Sequence, residues 1–226
     1  MTGPLFHDRA EAGRRLGEKL QGYSLPDPVI LALPRGGVPV AVEIAKALDA
    51  PLDLLLVRKL GVPGDPEVAL GAVSDGSHPR TVINWEMVRV AGVGEAEIAA
   101  TASREIAEIE RRRKLWLDNK RPIDLKGRIV VVVDDGVATG ASTRVALHAV
   151  RAGGAKWIVL AAPVGPGDVA QSLKQDCDET VFLATPESFV AVGPYYEDFH
   201  QLDDSEVHDL ISPTGQVPED FPPVMV

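Results

Sequence analysis

The sequence predicts an α/β protein built on a mostly parallel, twisted sheet with helices on both faces. Three observations carry that prediction. Several short runs, among them Val29–Leu33 and Ile129–Val133, are apolar at every position, as in strands buried on both faces. Amphipathic stretches of helical period separate them, which implies right-handed strand–helix–strand crossovers. Small or charged residues follow several of the runs directly, where such sheets seat their ligands.

In chain order, residues 8–20 read as a helix with Ala12, Leu16 and Leu20 on one face. Val29–Leu33 is a strand, and Val38–Leu48 a helix with Val42, Ile44, Ala45 and Leu48 turned inward. Leu52–Val57 is the next strand. Residues 60–80 hold four Gly and three Pro, loop chemistry around a short strand at Leu70–Val73. A further strand is expected at Thr81–Asn84. Glu95–Leu117 is a long helix whose inner stripe runs through Ile98, Ala102, Ile106, Ile109, Arg113 and Trp116. Arg128–Val133, Trp157–Ala162 and Thr180–Leu183 are strands, the last two separated by a helix over Asp168–Gln175. The tail from Pro186 carries prolines and aromatics and a last helical turn near Ser205–Leu210.

Composition narrows the function classes. The 226 residues suffice for one α/β core with an appended element. A net charge of −10 repels a polyanionic backbone, so broad nucleic-acid binding is not expected. No apolar run approaches the roughly 20 residues that span a bilayer, so no membrane role is expected. Met1 to Arg15 lack a basic-then-apolar leader pattern. The single cysteine, Cys177, rules out an internal disulfide framework, and the cytoplasm is the expected compartment. The five histidines show no metal-ligand spacing.

The most informative segment is residues 129–143. Its apolar run stops at Asp134 and Asp135, passes through Gly136, Val137, Ala138, Thr139, Gly140, Ala141 and Ser142, and opens an amphipathic helix. Small residues let the backbone approach a ligand, and a helix start offers unpaired N–H groups to an anion. Carboxylates at the rim suit sugar hydroxyls, so a phosphorylated ribose satisfies both halves. Pro34-Arg35-Gly36-Gly37 after the first strand forms a backbone-donor turn with one cation, suited to a diphosphate, although a tight turn alone explains the glycines equally well. Arg58 and Lys59 place two cations at another strand end.

These residues resemble type I phosphoribosyltransferases. Val-Val-Asp-Asp-Gly-Val-Ala-Thr-Gly-Ala-Ser is similar to their signature for phosphoribosyl pyrophosphate (PRPP). Gly136 stands where a branched residue is commoner, and Ala141-Ser142 replaces Gly-Thr, changes that keep the loop small and hydroxyl-bearing. The resemblance spans roughly residues 29–200 and is greatest to a bacterial group of undefined substrate. It implies one phosphoribosyltransferase domain over 1–226, with a core at about 25–185, an inserted helix at about 95–117 and a hood or tail at about 186–226. It implies Mg²⁺ as cofactor, held at Asp134 and Asp135 directly or through water. PRPP and a small-molecule acceptor are the implied partners. Within a PRPP-binding set that also includes Gly136 and Val137, Asp134 and Asp135 are to hold the ribose, the amides of Ala138 to Ser142 the 5′-phosphate, and Arg35, Gly36, Gly37, Arg58 and Lys59 the pyrophosphate and its metal. The Pro34–Arg35 peptide is expected to be cis.

Glu67 is a candidate to position the acceptor or take its proton. Phe189, Tyr195 and Tyr196, with Phe199, concentrate aromatics where the family has its base-covering hood; they either stack on the base or pin the tail to the sheet. Arg58, Lys59, Glu67 and Asp135 are the catalytic candidates. The run Arg111-Arg112-Arg113-Lys114 reads as a solvated, salt-bridged helix end, and Cys177 as a core residue. A PRPP- or nucleotide-binding regulator without turnover is the competing class. The lack of a Gly-x-x-x-x-Gly-Lys-Ser/Thr loop argues against a kinase. The acceptor and the oligomeric state, a homodimer included, stay open.

Overall fold

The computed structural model describes residues 3–62, 65–75, 79–118 and 120–212, with backbone alone at 65–69 and 80. In chain order, α1 (Arg9–Gln21), β1 (Pro28–Ala32), α2 (Gly37–Leu48) and β2 (Leu52–Leu54) precede β3 (Val57–Val62), β4 (Asp65–Ser74) and β5 (Arg80–Ile83). Two helices follow, α3 (Trp85–Ala91) and α4 (Glu95–Leu117). The chain continues through β6 (Ile129–Val133), α5 (Ala141–Ala152), β7 (Trp157–Val164), α6 (Gly167–Leu173) and β8 (Glu179–Ala184). A 3-10 turn (Gly193–Tyr195) and α7 (Asp204–Ile211) complete the described part.

The central sheet has the order β2-β1-β6-β7-β8, and every neighbouring pair is parallel. Successive strand residues point to opposite faces, and both faces are covered. Val130, Val132, Ile158 and Leu160 pack with Ala146, Leu147 and Val150 of α5 and Leu173 of α6. Val131, Val133, Val159 and Ala161 belong to the other core, with Leu16 and Leu20 of α1, Ile44 of α2, Trp116 of α4 and Val207 of α7. Burial on both sides is why these strands read as unbroken apolar runs. Helices α1 and α2 meet through glycines: a Cβ on Gly13 would lie 2.7 Å from the Val40 carbonyl oxygen.

The strands expected at Leu70–Val73 and Thr81–Asn84 fall within β4 and β5, but the residues before them depart from the sequence expectation. The loop expected over 60–80 is largely strand: β3, β4 and β5 form a second, antiparallel sheet, β3-β4-β5. Arg58 and Lys59 therefore lie within β3, paired with Val73 and Ala72, and not just beyond a strand of the central sheet. Gly71 looked like loop punctuation, yet a Cβ there would sit 2.1 Å from the Val82 carbonyl oxygen. The glycine permits the strand pairing. Pro66 is tolerated because β5 pairs only with Gly71–Ser74, and β3 meets β4 through register shifts around Gly61. Pro63 and Gly64, within the expected loop, lie outside the described residues.

Helix α3 was also missed. Asn84, expected as a strand end, caps it by accepting from the Met87 N–H at 3.1 Å. No helix among the described residues is long and apolar enough to cross a membrane.

Candidate functional site

The chain leaves β1 toward β2 on one side and later returns as β6 on the other. Strand order therefore reverses between β1 and β6, and a crevice opens at their carboxyl ends. The two loops singled out in the sequence, 33–37 and 134–140, flank that crevice. They are locked together: the Leu33 N–H donates to the Val133 carbonyl at 2.8 Å. The Pro34–Arg35 peptide is cis, as the resemblance implied. Gly36 and Gly37 are required by proximity. A Cβ on Gly37 would stand 2.6 Å from the Val133 oxygen, and one on Gly36 would stand 2.0 Å from Asp135 Oδ2.

Asp134 and Asp135 are both half-buried at the crevice. The Asp135 N–H donates to Asp134 Oδ1 at 2.9 Å. Burial, then the neighbouring Asp135 charge, hold the Asp134 carboxyl well above the usual range. Burial raises Asp135 too, opposed by Arg9, whose Nε donates to Asp135 Oδ2 at 2.7 Å. One cation thus serves two adjoining carboxylates. The Tyr196 hydroxyl donates to the Asp135 carbonyl at 2.6 Å, and burial pushes that phenol's pKa up.

The small-residue loop leads into α5 as the sequence implied. Gly140 takes the left-handed conformation, φ 73°, immediately before the helix, and as its N-cap offers no side-chain bond. Thr139 Oγ1 accepts from the Ala141 N–H at 3.4 Å, and Ala138, Thr139, Ala141 and Ser142 are exposed. Gly136 is held under the tail, where a Cβ would meet Val192 at 2.5 Å. The Val137 N–H is spent on the Val164 carbonyl, and its side chain is buried, so Val137 shapes the loop from below.

Other expected site residues have protein partners. Arg35 donates to the Leu202 carbonyl at 2.8 Å and pairs with Asp204 at 3.1 Å. Arg58 pairs with Glu105 of α4 at 2.7 Å. The Lys59 side chain is exposed and has no hydrogen-bond or ion-pair partner among the described residues. Glu67 falls on β4, and its side chain lies outside the described residues. Tyr195 stacks on Phe189, with centroids 5.4 Å apart, and its hydroxyl donates to the Ser188 carbonyl. Tyr196 lies between Phe6 and Phe199. Both tyrosines are buried with rings already partnered by Phe189, Phe6 and Phe199.

The basic run divides. Arg111 and Arg112 pair with Glu108, whose carboxyl their hydrogen bonds pull down to about 2, as a solvated helix end should. Arg113 does not follow that expectation. It is buried against Asp53 and Asp75, consistent with its place on the inner stripe. Cys177 is buried, as expected of a core residue.

Sequence reasoning missed Arg9. It comes from the first position of α1, where the helix dipole disfavours a cation. That local misfit is the signal that could have flagged it.

The oxygen donors fit a magnesium ion that keeps most of its shell from elsewhere. Among the described residues no group of three His, Cys, Asp or Glu could hold a metal alone. Mg²⁺ characteristically takes one or two carboxylates and completes its octahedron with water and substrate phosphates.

An acidic pair and a helix start at the switch point of a parallel sheet define the class of α/β proteins that seat their ligand beyond the strand ends. Comparison with known proteins makes this specific. A family model described as phosphoribosyl transferase domain matches residues 7–200, and the chain belongs to that family. Proteins from two strains of Mycobacterium tuberculosis that carry phosphoribosyl transferase names are each 47% identical over 203 residues. That alignment covers 90% of this chain and 45% of each relative, so the chain spans under half the length of the curated relatives it matches. A Thermus thermophilus crystal structure superposes with a TM-score of 0.80 at 41% identity, covering 91% of this chain and 97% of that one.

Proposed function

We propose that this domain transfers the 5-phosphoribosyl group of Mg²⁺-bound PRPP to a nitrogenous acceptor, a nucleobase by family resemblance, releasing pyrophosphate. The observation that carries the proposal is the junction of three features at the switch point. These are the Asp134–Asp135 pair, the exposed small-residue loop entering α5, and the Gly36–Gly37 turn pressed against Asp135.

In this reading the carboxylates of Asp134 and Asp135 accept from the ribose hydroxyls. Amides of residues 138–142 and the Ser142 hydroxyl take the 5′-phosphate, where the helix dipole favours an anion. The Gly36–Gly37 backbone approaches the diphosphate. Asp134 and Asp135, directly or through water, would hold a Mg²⁺ whose charge would neutralise that of the pyrophosphate. The bond from C1 to the pyrophosphate oxygen breaks, a bond from C1 to the acceptor nitrogen forms, and the acceptor gives up a proton. Glu67 is the candidate to receive it. Arg58 and Lys59 stabilise charge that grows on the leaving group, an effect largest when donors are set in advance.

A second reading, a PRPP- or nucleotide-binding regulator, draws on one observation: Arg35 and Arg58 are both engaged with carboxylates of the protein itself. The test is a pyrophosphate-release screen with Mg²⁺-PRPP against purines, pyrimidines and small amines, run beside calorimetry of PRPP. Release with one acceptor class supports the transferase; tight binding without release for any acceptor supports the regulator. Absence of both overturns the site assignment.

A further inference from the structure

Asp135 does not set its own orientation. Its Oδ2 is bound by Arg9 Nε at 2.7 Å, across 126 residues of sequence. Nη1 of the same guanidinium donates to the His200 carbonyl at 2.9 Å, and the group lies over the Phe199 ring, 3.8 Å from its centroid. Tyr196, from the same tail, binds the Asp135 carbonyl. Both members of the ion pair are nearly enclosed, with side chains 9% and 13% exposed. An enclosed carboxylate beside a second carboxylate keeps one rotamer only while a counter-charge fixes it. Arginine suits the task because its planar fork reaches a carboxylate and a carbonyl together while a ring covers its face.

We infer that Arg9 is the positioning residue of the ribose site: it aims Asp135 at the sugar hydroxyls and ties that aim to the seating of the 196–200 tail. The inference rests on the phosphoribosyl reading above. A residue that merely pinned the tail would affect all ligands alike. A residue acting through Asp135 affects ligands that carry the ribose and spares the phosphate loop at α5, whose residues Arg9 does not bind.

The test is calorimetry of ribose 5-phosphate and of inorganic phosphate, with Mg²⁺, on wild type, Arg9→Met, Arg9→Lys, Asp135→Asn and the Arg9→Met/Asp135→Asn double variant. Arg9→Met should weaken ribose 5-phosphate about tenfold or more, the scale of a lost charge-assisted contact, and leave inorganic phosphate within about twofold. Arg9→Lys should recover part of the loss, since lysine restores charge without the fork. In the Asp135→Asn background, Arg9→Met should add little, because the residue it acts through is already altered. Unchanged ribose 5-phosphate binding in Arg9→Met, an equal loss of both ligands, or additive losses in the double variant each overturn the inference. If circular dichroism shows Arg9→Met unfolded, Arg9→Lys decides: wild-type affinity for both ligands overturns the inference, and selective weakening of ribose 5-phosphate supports it. A wild-type chain that binds neither PRPP nor ribose 5-phosphate fails the phosphoribosyl reading itself. Wild-type binding with unaltered variants fails this inference alone.

Discussion

Gly36 has no room for a methyl group, because the atom it would strike is Asp135 Oδ2. Gly36→Ala must therefore displace either the loop or the carboxylate. Displacement of about 1 Å in a site of this kind weakens function by up to about 10²-fold, so a loss of that order in PRPP affinity is expected by calorimetry. The fold should survive, since the clash involves a side chain at the rim of the core. Asp135→Asn, which removes charge and not volume, should weaken PRPP by about 1–3 kcal/mol. Unaltered affinity in both variants would remove the ribose from this position. At this scale the sequence was most legible where neighbours in sequence are also neighbours in space. Asp134, Asp135 and the loop to Ser142 form one continuous segment, and its strand–loop–helix geometry could be read directly. The partners of Arg9, Arg35 and Arg58 are side chains or carbonyls far away in sequence, and no local pattern encodes them.

Among the elements, α4 joins the two sheets through a buried charge cluster. Arg113 donates to Asp75, at the end of β4, at 2.7 Å and to Asp53 of β2 at 3.0 and 3.1 Å. Asp53 also accepts from the Ile123 N–H, and Asp75 from the Leu56 N–H. Arg113→Met leaves two enclosed carboxylates without a cation, a change expected to cost about 3–5 kcal/mol by urea denaturation. Burial pushes the Asp75 carboxyl up to about 6, with Arg113 opposing. The ordinary unfolded value lies near 4, so between these limits the folded chain holds the proton more tightly. Its contribution is fully present below about pH 4 and is lost as pH rises through about 6, by at most about 3 kcal/mol. The stability difference between wild type and Asp75→Asn should therefore move against wild type from pH 4 to 6.5 and then level off. A difference constant with pH would show that Asp75 does not titrate in that window. The same elements mark the limit of sequence reading. Strands buried on both faces declared themselves by composition, and Leu70–Val73 of β4 was legible too, whereas β3 and the 65–69 part of β4 lie in a stretch whose Gly and Pro ordinarily mark loops. Their strand character depends on pairing with each other, which local propensity does not contain.

For the whole molecule, the question is whether the second sheet serves turnover or only binding, and Arg58 decides it. In the structure its charge is matched by Glu105, in a half-exposed pair of the kind worth up to about 1 kcal/mol. So weak a pair can be exchanged for a pyrophosphate that carries several charges, and the cost of the exchange is small beside what the leaving group gains. Glu105→Gln removes the competitor and should tighten pyrophosphate binding by no more than about fivefold. On the proposed transferase reading, Arg58→Ala should do little to PRPP affinity and much to turnover, because its charge would matter most when the C1–oxygen bond is nearly broken. A loss of about 10²–10³ in kcat with less than about tenfold change in PRPP Kd is the expected split. A regulator gives another pattern: Arg58→Ala loses affinity, and there is no turnover to lose. Equal losses in binding and in kcat/KM, with kcat unchanged, would make Arg58 a ground-state contact. The second sheet would then be a binding platform.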